Sequence, residues 1–433
     1  MNASARTRRT AGASVFLAFL VLLAGGLPEA AAQQATEVEA ATGEQPLAYL
    51  DELPPLLDRE IFFSDPEIGY AALSPDGEHI AFVQQLDGVP NVWVKGFDEP
   101  FEAATPVTHD RNRPVIGYFW SADGSAILWS QDVGGNENFR IYAVDPTADP
   151  APGEKVPAPR DLTPYENIQA RIYAVPKATP EWILVGINDR DPRIHDVYRL
   201  NIETGERELV QENPGDISGW MADLDGNLRL ASRVTDDGGT EILRVEGDEL
   251  VSVYTCEPAE TISPMRFHPD GERVWMSTNC GEGVDLARLV LFDPETGEME
   301  VVESDPEGEV DFGGAIFSEV DDRLLATTYT GDRVRIYPKD PDFEKDVERL
   351  REAGLDGDLF FRTPTRDDRI WIVKNIVDVD EGPNYLYDRE TGEVELLYRP
   401  QPWIPTEHMA PMEPVRYTAR DGETIPAYLT LPK

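Results

Sequence analysis

Tyr70-Ala71-Ala72-Leu73-Ser74-Pro75-Asp76-Gly77-Glu78-His79-Ile80-Ala81-Phe82-Val83 is two apolar runs divided by a turn. Proline fixes φ, and the Asp-Gly pair supplies the positive φ that closes a hairpin. The device recurs. Ser121-Ala122-Asp123-Gly124 separates Ile116–Trp120 from Ala126–Trp129, and Asp223-Leu224-Asp225-Gly226 and His268-Pro269-Asp270-Gly271 do the same further on. Glu319-Val320-Asp321-Asp322 and Thr365-Arg366-Asp367-Asp368 are degenerate copies, and one copy is eroded near Thr179-Pro180-Glu181. A period of roughly 45–50 residues made of short strands and turns is the signature of propeller blades.

The chain has 433 residues, 82 acidic and 38 basic, for a formal charge of −44. So acidic a surface argues against nucleic acid and anionic membrane as partners. The acids are scattered through strands and turns, which fits a solvated surface and not a disordered tail. Residues 1–32 have the form of a signal peptide: Arg6, Arg8 and Arg9, the apolar run Val15–Leu23, and Ala30-Ala31-Ala32 before Gln33. That run is shorter than the ~20 residues of a membrane span, and no membrane anchor is read from it. The expectation is export to the periplasm or the medium. Residues 33–65 read as a flexible lead and an N-terminal arm, with Pro54-Pro55 interrupting any long helix.

Residues 66–400 hold the repeats, about 66–110, 114–165, 168–212, 216–258, 261–304, from 311, and 359–399. The sixth carries an insertion, Asp342 to Gly354, with helical spacing at Phe343, Val347 and Leu350. The fold class is all-β, a propeller of about seven four-stranded blades, with six or eight as alternatives. A four-stranded blade is apolar on both faces, and stacking blades in a ring buries both. Cys256 ends one repeat and Cys280 lies inside the next. In an oxidising compartment the two are candidates for a disulfide between neighbouring blades, or for two buried thiols. No H-E-x-x-H, P-loop or C-x-x-C occurs, so no cofactor or metal is implied. Asp223–Asn227 reads as a hairpin turn and not as a calcium loop.

Residues 401–433 read as a linker and a hairpin around Asp421-Gly422. Val415-Arg416-Tyr417-Thr418-Ala419-Arg420-Asp421-Gly422, with Ile425-Pro426 and Tyr428-Leu429-Thr430-Leu431-Pro432, resembles the approach to the α/β-hydrolase domain of the prolyl oligopeptidase family of serine peptidases. Phe62-Phe63-Ser64-Asp65-Pro66-Glu67 followed by Leu73–Gly77 resembles the opening of that family's propeller. Leu162-Thr163-Pro164-Tyr165 and Asn188–Tyr198 look like its acylaminoacyl- and dipeptidyl-peptidase-like exported branch. The resemblance covers about 47–433. It implies peptide hydrolysis by a full-length enzyme, with the propeller filtering peptide substrates and the chain cut before the catalytic domain.

No catalytic residue transfers onto this sequence. It has no G-x-S-x-G elbow and no His-Gly-Gly segment, and the family's Asp and His would follow the Ser. The chain by itself is expected to be inactive. His79, His109, His195, His268 and His408 read as surface or turn residues. By the same resemblance Glu137, in the loop before Phe139, is a candidate to bind a substrate's free amine, against the plainer reading of a solvated loop acid. The alternative function is a free-standing exported propeller that binds a peptide or protein without catalysis. Oligomeric state is not readable from the sequence.

Overall fold

The computed structural model describes residues 56–432. The signal segment and the lead up to residue 55 lie outside the described residues. From the lead and arm, helix α1 (Glu60–Phe63) is one turn long and exposes Phe63.

Residues 69–398 form seven antiparallel sheets in chain order, at 69–106, 118–161, 170–211, 217–256, 262–303, 312–338 and 358–398. We number them blades 1 to 7. Each is built from consecutive strands, inner to outer. Six blades have four strands, and blade 6 has three followed by helix α2 (Pro341–Glu352). Asp340 caps α2 by accepting from Asp342 N and Phe343 N at 3.0 Å each, and Pro341 opens its first turn. Phe343, Asp346 and Leu350 form its buried face. Asp346 accepts from Tyr387 Oη and Arg389 Nε at 2.7 Å, which ties the helix to blade 7.

Three of the repeated turns, in blades 1, 2 and 7, share one chemistry. Ser74 Oγ bonds Asp76 Oδ1 at 2.5 Å and accepts from His79 N at 2.9 Å, while Gly77 takes φ +75°. Blade 2 repeats this with Ser121, Asp123 and Gly124. Blade 7 substitutes Thr365, Asp367 and Asp368. Thr365 Oγ1 reaches Asp367 Oδ1 at 2.5 Å, and Asp368 adopts φ +58° where the others have glycine. The degenerate sequence therefore keeps the turn, because Asp tolerates the left-handed region better than most residues.

Middle strands are buried on both faces, as in Ile80-Ala81-Phe82-Val83, because a neighbour covers each side. One apolar cluster fills each of the seven blade interfaces. Blades 7 and 1 share no strand, so side-chain packing and a few bonds outside the sheets close the ring. Leu73, Ile80, Phe82, Ile372 and Tyr398 pack there. Ala71 N donates to Tyr398 Oη at 3.4 Å, and Arg366 N donates to Pro75 O at 2.8 Å. Each fully buried large side chain at that seam is worth about 1.5–3 kcal/mol.

Residues Met412–Thr418 and Thr424–Thr430 pair as a separate two-stranded sheet outside the ring.

Candidate functional site

Strands alternate in direction, so each blade's first turn opens on one face of the ring. The second-to-third loops and the links between blades open on the other. We call these the turn face and the link face. At the turn face lies a cavity of about 1240 Å³ on the ring axis. Every blade contributes to it: Asp76, Asp123, Lys177, Asp225, Arg266, Asp322 and Arg366, in order. A site built from all seven blades has stiff walls, because each blade is wedged between two others.

Glu137 lies at the link face, in the loop joining the second and third strands of blade 2. Buried Asp132 accepts from Glu137 N at 3.0 Å through Oδ2, and Arg113 Nε sits 3.1 Å from its Oδ1. Gln169 Nε2 donates to Glu137 O at 3.0 Å. Glycines 134 and 135 and Glu137 itself, at φ +60°, give the loop its sharp bend. The backbone is thus held from both sides. The exposed Glu137 carboxylate makes no hydrogen bond or ion pair with any described residue. A carboxylate so placed can accept from a protonated amine. Asp132 and Gln169 were not singled out by sequence reasoning, since the contact to Gln169 comes from the next blade.

Cys256 and Cys280 are joined in a disulfide with Cα atoms 5.7 Å apart, and both are buried. It links the outer strand of blade 4 to the segment after the second strand of blade 5.

The histidines scatter. His109 pairs with Asp87 at 2.9 Å and His268 with Asp270 at 2.9 Å, both at loops. His195 departs from the expected surface position. It is 8% exposed within the second of the two middle strands of blade 3, which blades on both sides cover, and its Nε2 has no partner among the described residues. Burial, then the nearby Arg171 charge, holds its imidazole down at about 4. No histidine ring hydrogen-bonds a serine or cysteine side chain among the described residues, where His79 meets Ser74 through its backbone alone, so no nucleophile–base pair is assembled in them.

The link face also carries Asp380 and Glu381 in the blade 7 loop. Arg399 Nη1 lies 3.1 Å from Asp380 and 2.9 Å from Glu381. Burial and the adjacent Asp380 push the Glu381 carboxyl up. The terminal hairpin rests on the same face. Arg416 pairs with Asp332 at 2.7 Å, and Tyr428 Oη donates to Asp332 O at 2.8 Å. It leaves Tyr417, Leu429 and Leu431 exposed.

No family model matches the chain. It is 32% identical over 421 residues to dipeptidyl aminopeptidase BIII of Pseudoxanthomonas mexicana, covering 96% of this chain and 58% of that protein. It is 27% identical over 392 residues to dipeptidyl peptidase family member 6 of Caenorhabditis elegans, covering 87% and 52% respectively. The chain thus spans about half the length of the curated relatives it matches. Among solved structures, a prolyl endopeptidase superposes with TM-score 0.59 at 14% identity, over 93% of this chain and 59% of that one. That last likeness concerns the fold alone. By homology to dipeptidyl-releasing peptidases and by its seven-bladed ring, the chain matches the N-terminal propeller of the prolyl oligopeptidase family of peptidases.

Proposed function

We propose that this chain is the substrate-filtering propeller of an exported serine peptidase, whose Ser, Asp and His stand on a separate α/β-hydrolase domain. One combination carries the reading: an axial cavity built by all seven blades, in a chain homologous over 96% of its length to a dipeptidyl aminopeptidase. A narrow ring with stiff walls admits extended peptides and excludes folded proteins. Glu137 receives the substrate's free amino end, supported by its fixed loop and by its carboxylate having no partner among the described residues. Export rests on the basic and apolar leader, and the full-length enzyme acts in the periplasm or the medium.

The test is to capture the native protein from its source with an antibody to the propeller and assay it on peptides of rising length. Short peptides with a free amino end should be cleaved, their acetylated forms more slowly, and folded proteins not at all. A Glu137→Gln version expressed in place of the native protein should lose about tenfold or more in kcat/KM on free-amine peptides, the scale of one charge-assisted contact. Captured protein that binds peptides without cleaving them would replace this reading with a binding propeller.

A further inference from the structure

Blade 3 breaks the turn rule. The other six blades pass from first to second strand through turns with a residue at positive φ: Gly77, Gly124, Gly226, Gly271, Asp322 and Asp368. Blade 3 instead runs Val175-Pro176-Lys177-Ala178-Thr179-Pro180-Glu181, the copy that reads as eroded. Pro176 is buried against blade 4. Its ring occupies the place where a side chain on Gly226 would go, 2.5 Å from the ideal Cβ position. Gly226, already at φ +87°, is the seat that lets the loop lean over the axis.

From that seat Lys177 reaches blade 6. Its Nζ lies 2.6 Å from Glu319 Oε2, donates to Glu319 O at 2.8 Å, and lies 3.2 Å from Asp322 Oδ1. Asp322 also takes Arg266 of blade 5. Blades 3 and 6 stand three places apart in a ring of seven, the greatest separation such a ring allows. A direct ion pair between them crosses the axis, within the cavity that all seven blades line.

We infer that residues 175–181 are a strap across the turn-face mouth of the channel, latched by Lys177 on Glu319 and Asp322. The strap narrows that mouth, so a peptide passes along the axis there only when the latch opens. The latch side chains are about one-third exposed, Lys177 at 34% and Glu319 at 31%, so dissolved salt screens them and the strap releases at high ionic strength. The inference concerns the ring itself and holds whether or not the propeller serves a peptidase.

Two measurements on the full chain test it. A water-soluble carbodiimide, which joins an amine and a carboxylate already in contact, should link Lys177 to Glu319. Mass spectrometry of the digest should find that peptide pair beside the Lys155–Asp87 control, whose atoms are 2.6 Å apart. Coupling of the control without the Lys177–Glu319 link overturns the inference. Nitroxides on cysteines placed at exposed Ala178 and Val320 should give a short, narrow distance distribution, since the native cysteines are paired. Lys177→Met and, independently, Glu319→Gln should broaden and lengthen it, as should salt of about 1 M, where the Debye length is near 3 Å. A distribution unchanged in both variants overturns the latch.

Discussion

The disulfide offers a stability prediction whose size follows from where it sits. Cys256 and Cys280 are 24 residues apart in sequence and join blade 4 to blade 5. Closing a loop of that length in the unfolded chain removes about 12 cal/mol/K, which is about 3.5 kcal/mol at 25 °C. The folded state offers little to offset the loss, because both sulfurs are buried and each blade is already held by its interface cluster. Replacing both cysteines by alanine should therefore destabilise the chain by about 3.5 kcal/mol. Spread over ~2.1 cal/mol/K per residue for the described residues 56–432, the melting temperature should fall by about 4 °C. Calorimetry of the wild type, the reduced wild type and the double variant measures it, and the last two should agree. Two refuting results are clear: a reduced protein that melts within a degree of the oxidised one, or uptake of two equivalents of alkylating reagent by native, unreduced protein.

Other consequences can be measured on the same preparation. His195 is held at about 4 when folded and titrates near 6.5 when unfolded, so its contribution is constant above pH 6.5 and turns unfavourable as pH falls from there towards 4. The unfolded chain gains a proton that the folded one refuses, a loss of about 3 kcal/mol; urea midpoints for the wild type and His195→Gln should diverge across that window, and parallel curves would refute the burial argument. Phe82→Ala at the seam between blades 7 and 1 should cost about 3–5 kcal/mol and speed hydrogen exchange in residues 69–106 and 358–398 before blade 4 responds. Asp340→Ala removes the cap of α2 and should cost about 1 kcal/mol, read as a shift in urea midpoint. The exposed hairpin should be among the least protected ordered segments, so strong exchange protection across Tyr417–Leu431 would count against its marginal packing.

The turns carried the fold because their chemistry is local. Ser74, Asp76 and Gly77 bond within a few residues, so their pattern is visible in sequence and recurs, intact or degenerate, in every blade but blade 3. The helix in blade 6 was visible for the same reason, through the spacing of Phe343, Val347 and Leu350. What escaped depends on closure of the ring. The loop 175–181 looked like a decayed turn, because nothing in sequence shows that blade 3 faces blade 6 across the axis. His195 looked like a surface residue because its polar neighbours, Asp196 among them, mask a strand covered on both faces. Asp196 itself is buried, with Arg190 as its partner at 2.7 Å. Glu137 is picked by resemblance, whereas Gln169, which holds its loop from the next blade, reaches it only when the blades stack.

The central claim is that this ring works as part of a peptidase. The direct test is to label the native protein in extracts of its source with a fluorophosphonate probe, capture it with an antibody to the propeller, and determine its mass. The account predicts a labelled polypeptide longer than 433 residues by a catalytic domain of roughly 200 residues. An unlabelled polypeptide no longer than the 433 residues would contradict it and assign the ring to binding alone.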